Sequence, residues 1–155
     1  MKRLFAPLFA ALALLVAPAT LHAQDAGPEA TVIAFMDAFS AKDAETMTAL
    51  MMPDTVVASV QELEGPDDVG FSPMADLVAQ LAGLPFDIAE PLWDLRTEEF
   101  GTVAVVSASY DFLISGNRSH CGTDIFTLMR VDGAWKIATI TYSHETEGCE
   151  GPPAE

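Results

Sequence analysis

A proton-transfer enzyme needs a carboxylate or histidine in a dry pocket, with its pKa moved toward neutrality, and a donor for the charge that develops on the substrate oxygen. In this chain of 155 residues the carboxylate that best fits is Asp124. It alternates with Phe126 and Leu128 on one face of a strand, and a hairpin brings Trp135 and Ile137 to the same face. Tyr110, on the preceding strand, could donate to an oxyanion, and Asp37, on the first helix, could point inward. Each has a plainer reading. Asp124 could pair with Thr141 or Arg130 at the end of the sheet, Tyr110 could be a core or rim aromatic, and Asp37 a solvated helix position.

His120 and His144 fall near each other across the hairpin mouth, beside Cys121. That arrangement would suit a metal pair, but it suits an exposed rim as well, and no cluster has metal-ligand spacing. The sequence therefore implies no metal and no cofactor. Nothing in it matches Gly-x-Ser-x-Gly, a phosphate-cradling glycine loop or a His-Glu-x-x-His helix. The methionines at 36, 47, 51, 74 and 129 read as core, although they would line a cavity adaptably. Cys121 begins the first hairpin strand and Cys149 lies just past the end of the second. With no Cys-x-x-Cys, and an even count in the exported part, the pair reads as a disulfide.

The hairpin that positions these groups is Thr123 to Ser143 (TDIFTLMRVDGAWKIATITYS), with Asp132-Gly133 between two strand-like runs. Its simplest register sets Arg130 opposite Trp135, Leu128 opposite Ile137, Phe126 opposite Thr139 and Asp124 opposite Thr141. Upstream, Val32, Phe35, Met36 and Phe39 make one stripe of a helix over Glu29 to Ser40. Asp43 caps a second helix carrying Met47, Leu50 and Met51. Thr55 to Val60 is a short strand, and Glu62 to Gly70 an acidic loop. Ser72-Pro73 opens a third helix, with Ser72 as its cap and Gly83 as its stop. Trp93 to Arg96, Thr102 to Ile114 and the hairpin then give four consecutive antiparallel strands. The layout is α+β, with three N-terminal helices packed on one face of a curved, mainly antiparallel sheet.

Lys2 and Arg3 precede the apolar run Leu4 to Val16, and small residues follow to Ala23. This is the pattern of a secretory leader cleaved after Ala23. The rival, a retained anchor, has an apolar run shorter than the roughly 20 residues a spanning helix needs. The expected organisation is a leader at 1–23, a folded domain at 24–144 and a polar tail at 145–155 tethered by Cys149, in a periplasmic or secreted protein. The formal charge of −16 would fall to about −18 once Lys2 and Arg3 are gone. Such a surface repels phosphate backbones and anionic bilayers, so neither nucleic acid nor membrane is an expected partner of the mature chain.

The opening TVIAFMDAFSAKDAETMTALMMPDTV and the ending TLMRVDGAWKIATITYS resemble the first helices and the closing hairpin of the NTF2-like (SnoaL-like) superfamily, over about Glu29 to Ser143. The resemblance implies a cone-shaped sheet wrapped around a long helix and enclosing an apolar pocket. It implies a pocket lined by Phe35, Phe39, Asp37, Phe126, Leu128, Trp135 and Ile137. Members include isomerases, cyclases, dehydratases and accessory domains, so the fold alone does not give the function. Many relatives carry a histidine in the last strand, where this chain has Ala138-Thr139-Ile140-Thr141. That departure favours a non-catalytic domain that binds a small apolar ligand or a protein partner. The alternative is an isomerase, cyclase or dehydratase using Asp124 as base with Tyr110. A homodimer formed through the sheet is a further partner class.

Overall fold

Asp132 and Gly133 both adopt left-handed backbone conformations, with φ of 51° and 83°. That geometry matches the right-handed twist of paired strands. It closes β6 (Asn117–Val131) onto β7 (Ala134–Ser143) in the computed structural model, which describes residues 26–62 and 66–152. The leader and its cleavage site lie outside the described residues.

The first helix, α1 (Pro28–Ala41), has proline at its N-terminus and buries Val32, Phe35, Met36 and Phe39. It ends where Lys42 turns left-handed, at φ 56°. The Lys42 ammonium then donates to the carbonyls of Leu84 (3.2 Å) and Phe86 (2.6 Å), fastening the helix end to a distant loop. Asp43 caps α2 (Ala44–Leu50) through the Thr46 amide, as its spacing predicts. The third helix, α3 (Met74–Leu81), starts without a side-chain cap. Ser72 belongs instead to a strand, β2 (Asp68–Pro73), where an acidic loop was expected over its first residues. Its composition hides it, because Val69 and Phe71 are exposed and its order comes from pairing with β1 (Met51–Gln61).

The sheet runs β2-β1-β7-β6-β5, with β5 (Val103–Ile114) flanked on its far edge by β3 (Ile88–Ala89) and β4 (Leu92–Phe100). It is curved, open and mainly antiparallel, with the helices on its inner face; β1 and β7 pair parallel. The β5 alternation is as the sequence indicates. Ala104, Val106, Ala108 and Tyr110 are buried, while Val103, Val105, Ser107 and Ser109 are half-buried.

The hairpin register departs from the simplest one. Arg130–Trp135 and Leu128–Ile137 pair as expected, but Ala138 is an extra residue. Beyond it Phe126 faces Ile140 and Asp124 faces Tyr142, not Thr139 and Thr141. The bulge turns Ile140 and Tyr142 inward and sends both threonines out. Buried Thr55 braces the same spot, its hydroxyl within 2.8 Å of the Ile137 carbonyl and 2.7 Å of that of Met52.

Cys121 and Cys149 lie at disulfide distance, with sulfurs 2.11 Å apart. The tail is also held by paired backbone hydrogen bonds between Cys121 and Glu145, both 2.9 Å. The two cysteines are 28 residues apart, for which loop closure is worth about 3 to 4 kcal/mol. Replacing both by serine should lower the unfolding free energy by about that amount in urea titrations. An unchanged midpoint would mean that the tail contributes nothing to the closed form.

Candidate functional site

A cavity of about 260 Å³ opens between the helices and the inner face of the sheet. Phe35, Met36 and Phe39 of α1, Met74, Leu77 and Leu81 of α3, and Phe126 and Ile140 of the sheet make its apolar wall. Asp124 and Glu90 bring two carboxyls into that wall, and Gln80, His120 and Tyr142 are the other polar side chains lining it.

Asp124 sits mid-sheet on β6, between Ala108 of β5 and Tyr142 of β7, and is only 2% exposed. One of its oxygens, Oδ2, is buried with no N–H or hydroxyl partner. The group beside it is Glu90, near enough that each carboxyl shifts the pKa of the other. Two carboxyls so placed can hydrogen-bond to each other only when one of them carries a proton.

Burial is the first cause in both groups. Lost hydration pushes Glu90 well above the carboxylate range, reinforced by the neighbouring Asp124 charge and by the shared hydrogen bond. Burial pushes Asp124 up to about 7, with the hydrogen bond from Glu90 pulling in the opposite direction. The pair therefore loses its first proton near neutrality and keeps the second, leaving one protonated carboxyl beside one ionised carboxylate. That is the combination an acid–base site needs.

Glu90 is aimed by its backbone. It lies at the interruption between β3 and β4, which run end to end along the same edge of β5 in one register, so Glu90-Pro91 leaves the ladder there without leaving that edge. The Glu90 amide donates to the Ser40 hydroxyl at the end of α1 (3.4 Å), and the Pro91 carbonyl accepts from the Asp111 amide (3.4 Å). In the sequence Glu90 is one of 23 acidic residues, and only Pro91 after it hints at an extended backbone. Nothing in the spacing marks it as a partner of Asp124.

The other sequence candidates separate. Phe35, Phe39, Phe126 and Asp124 line the cavity. Leu128, Trp135 and Ile137 share the Asp124 face but are packed in the core beyond the cavity, because the bulge hands their places to Ile140 and Tyr142. Asp37 does not join them and is exposed on the outer side of α1. Tyr110 is buried beside the site, yet its hydroxyl donates to the Ser143 carbonyl at 2.7 Å and is committed there. Gly122, opposite Tyr110, makes that approach possible, since a Cβ there would collide with Ser143.

His120 and His144 stack face to face, their rings 3.9 Å apart, with Phe112 against the other side of His120. Burial first, and the neighbouring imidazole second, push His120 down to about 4, so it is neutral at physiological pH. Among the described residues no three His, Cys, Asp or Glu side chains converge as metal ligands, and no helix is long and apolar enough to cross a membrane.

The sequence profile of the SnoaL-like domain matches residues 29–146. A candidate dehydratase from the NTF2-like family of Streptomyces avermitilis has a similar fold, at 21% identity and a TM-score of 0.56, over 74% of this chain and 90% of that one. An NTF2-like protein of unknown function from Shewanella baltica matches at 18% identity and 0.57, over 81% and 94%. The beta subunit of a candidate aromatic-ring-hydroxylating dioxygenase from Novosphingobium aromaticivorans matches at 13% and 0.62, over 79% and 89%. At these identities the likeness is one of fold. No curated protein matches the chain.

The raised Asp124 pKa carries a signed consequence. The unfolded chain releases this proton near 3.8, whereas the folded protein keeps it to about 7. The contribution to stability is therefore full at low pH and is lost as pH rises through that window. Asp124→Asn should accordingly gain stability relative to the wild type between pH 4 and pH 8. Denaturation midpoints of the two proteins at both pH values test this, and taking their difference cancels the opposite trend of His120. Parallel midpoints would show that Asp124 titrates like an exposed carboxylate.

Proposed function

We propose, from the premise that this chain belongs to the SnoaL-like family, that it is an acid–base catalyst for a small, mainly apolar, uncharged substrate. The observation that carries the reading is the Glu90–Asp124 pair, two neighbouring carboxyls in the wall of a mainly apolar cavity. Asp124, ionised at and above neutrality, takes a proton from a carbon next to a carbonyl. Glu90 delivers its own proton to the carbonyl oxygen, giving an enol. Reversal with the proton returned to a different carbon is an isomerisation. Loss of a neighbouring hydroxyl as water, protonated by the carboxylic acid, is a dehydration. In each the pair ends with the proton count it started with, once the released proton is rebound.

The further donors toward the substrate oxygen are Tyr142 and His120, both in the cavity wall, His120 with its Nδ1 3.3 Å from the Ser119 hydroxyl. Tyr110 acts instead as a positioning residue, fixing Ser143 at the end of β7.

A non-catalytic reading of the same cavity is favoured by the apolar character of most of its wall. In that case the carboxyl pair anchors a polar end of the ligand and transfers nothing. A protein partner, or a second copy of the chain, would use the outer sheet face, where Ile125, Met129 and Val131 are exposed. The leader and the cysteine pair support export to an oxidising compartment, periplasmic or secreted.

Exchange of the acidic α-protons of 2-tetralone in D2O, followed by NMR, tests the chemistry without knowledge of the natural substrate. The wild type should accelerate exchange over buffer, with a rise as pH passes about 7 as Asp124 ionises. Asp124→Asn should lose about 100-fold or more of that acceleration. Saturable binding of 2-tetralone with no acceleration in the wild type would decide for the non-catalytic reading.

A further inference from the structure

The site has an unusual charge balance for a binding cavity. No lysine or arginine lines it among the described residues, and His120 in its wall is neutral at physiological pH. Two carboxyls face it, and Asp124 Oδ2 is buried with no N–H or hydroxyl of the protein as partner, in a residue only 2% exposed. A buried acceptor left without a donor costs about 1 to 3 kcal/mol, more when it is charged. A proton kept on the pair offsets that cost only in part, because above neutrality one carboxylate is still ionised in a dry site. A ligand that brought its own N–H donors and a positive charge would remove both penalties together.

The walls fit the same ligand. Phe35, Phe39 and Phe126 present aromatic and apolar surface around the pair, and aromatic faces favour a nearby cation. The volume corresponds to about nine waters of liquid, so the ligand has roughly ten non-hydrogen atoms. The formal charge of −16 on the chain raises the local concentration of cations and depletes that of anions.

We propose that this cavity is a receptor for small apolar primary amines in their ammonium form, bound with the nitrogen between Asp124 and Glu90 and the apolar body against the phenylalanines. The inference rests on the reading above that the cavity admits a small molecule, and it goes beyond it by assigning a ligand class. The ammonium donates to both carboxyls and takes the place of the shared proton, which leaves to solvent. A bound amine therefore silences the acid–base pair: amines are inhibitors of the proposed reaction.

Three probes of nearly equal size separate the possibilities: 2-phenylethylamine, 2-phenylethanol and phenylacetate, titrated into the wild type at pH 8 by calorimetry. The amine should bind at least about tenfold more tightly than the alcohol, a difference that one desolvated ion pair readily supplies, and phenylacetate should not bind. The amine's advantage should persist at about 0.5 M salt, because a buried pair is screened far less than surface charge. It should collapse in Glu90→Gln/Asp124→Asn, with alcohol binding retained.

An alcohol that equals or exceeds the amine on the wild type overturns the amine assignment and leaves the cavity reading standing. Amine binding abolished by salt assigns it to the acidic surface and overturns the assignment equally. Failure of all three probes removes the cavity reading itself, and the assignment with it. The wild-type ranking decides the matter even if the double variant does not fold.

Discussion

Strand β7 is paired antiparallel to β6 on one side and parallel to β1 on the other, and Ala138, unpaired with β6, interrupts both ladders at the same level. Side chains alternate strictly along a strand, so a one-residue slip would exchange every inward and outward position beyond it. The bulge confines that exchange to the end of β7 nearest Asp124. Trp135 and Ile137 before it fill the deep core, while Ile140 and Tyr142 after it reach the cavity. Without the extra residue the same strand would offer Thr139 and Thr141 to the carboxyl pair, and a dry site would become a polar one. The Thr55 hydroxyl, within reach of the Met52 carbonyl in its own strand β1 and the Ile137 carbonyl in β7, serves groups that the interrupted ladders would leave open.

The cavity exists because the helices are held off the sheet as well as against it. α1 lays Val32, Phe35, Met36 and Phe39 on the inner face, and α3 adds Met74, Val78 and Leu81. The Lys42 clamp on the Leu84 and Phe86 carbonyls ties the end of α1 to the loop after α3, joining the two helices that cover the sheet. Ser40, two residues earlier, accepts from the Glu90 amide. One helix end therefore sets the roof of the cavity and places one of its two acids. Holding an uncompensated carboxylate in such a place costs several kcal/mol. The pair escapes part of that cost by keeping a proton, and this makes it reactive.

Much of the frame was legible in the sequence, for local reasons. The Asp-Gly turn, the four-residue stripe of α1, the Asp43 cap and the β5 alternation all rest on contacts between near neighbours in the chain, and all appear as read. The disulfide pairing follows from the hairpin that brings its ends together. Legibility fails where long-range pairing makes the structure. β2 is a strand only because β1 lies beside it, and Ser72 loses its role as a cap for the same reason. The bulge has no signature of its own, since Ala138 is an ordinary strand residue. Asp124 could be singled out by its apolar neighbours on β6, but Glu90 could not. It meets Asp124 from a break in the edge strand beside β5, and pairing across 34 positions leaves no mark in either local pattern.

Two causes compete to explain why the carboxyl pair holds its proton to neutrality: the large negative charge of the chain, and the dryness of the site. The first acts through many distant charges, most of them at the surface and separated from the cavity by water and counterions. At ordinary ionic strength such interactions fade over about 8 to 10 Å. The second acts on the two groups directly and is the leading cause for both. The proton is therefore a property of the cavity, set by the phenylalanines of α1 and β6 and by the residues the bulge turns inward. The surface charge has a separate part, governing which molecules arrive. The cavity governs what state the acids are in when they do, and the two can be altered independently by surface and by wall substitutions.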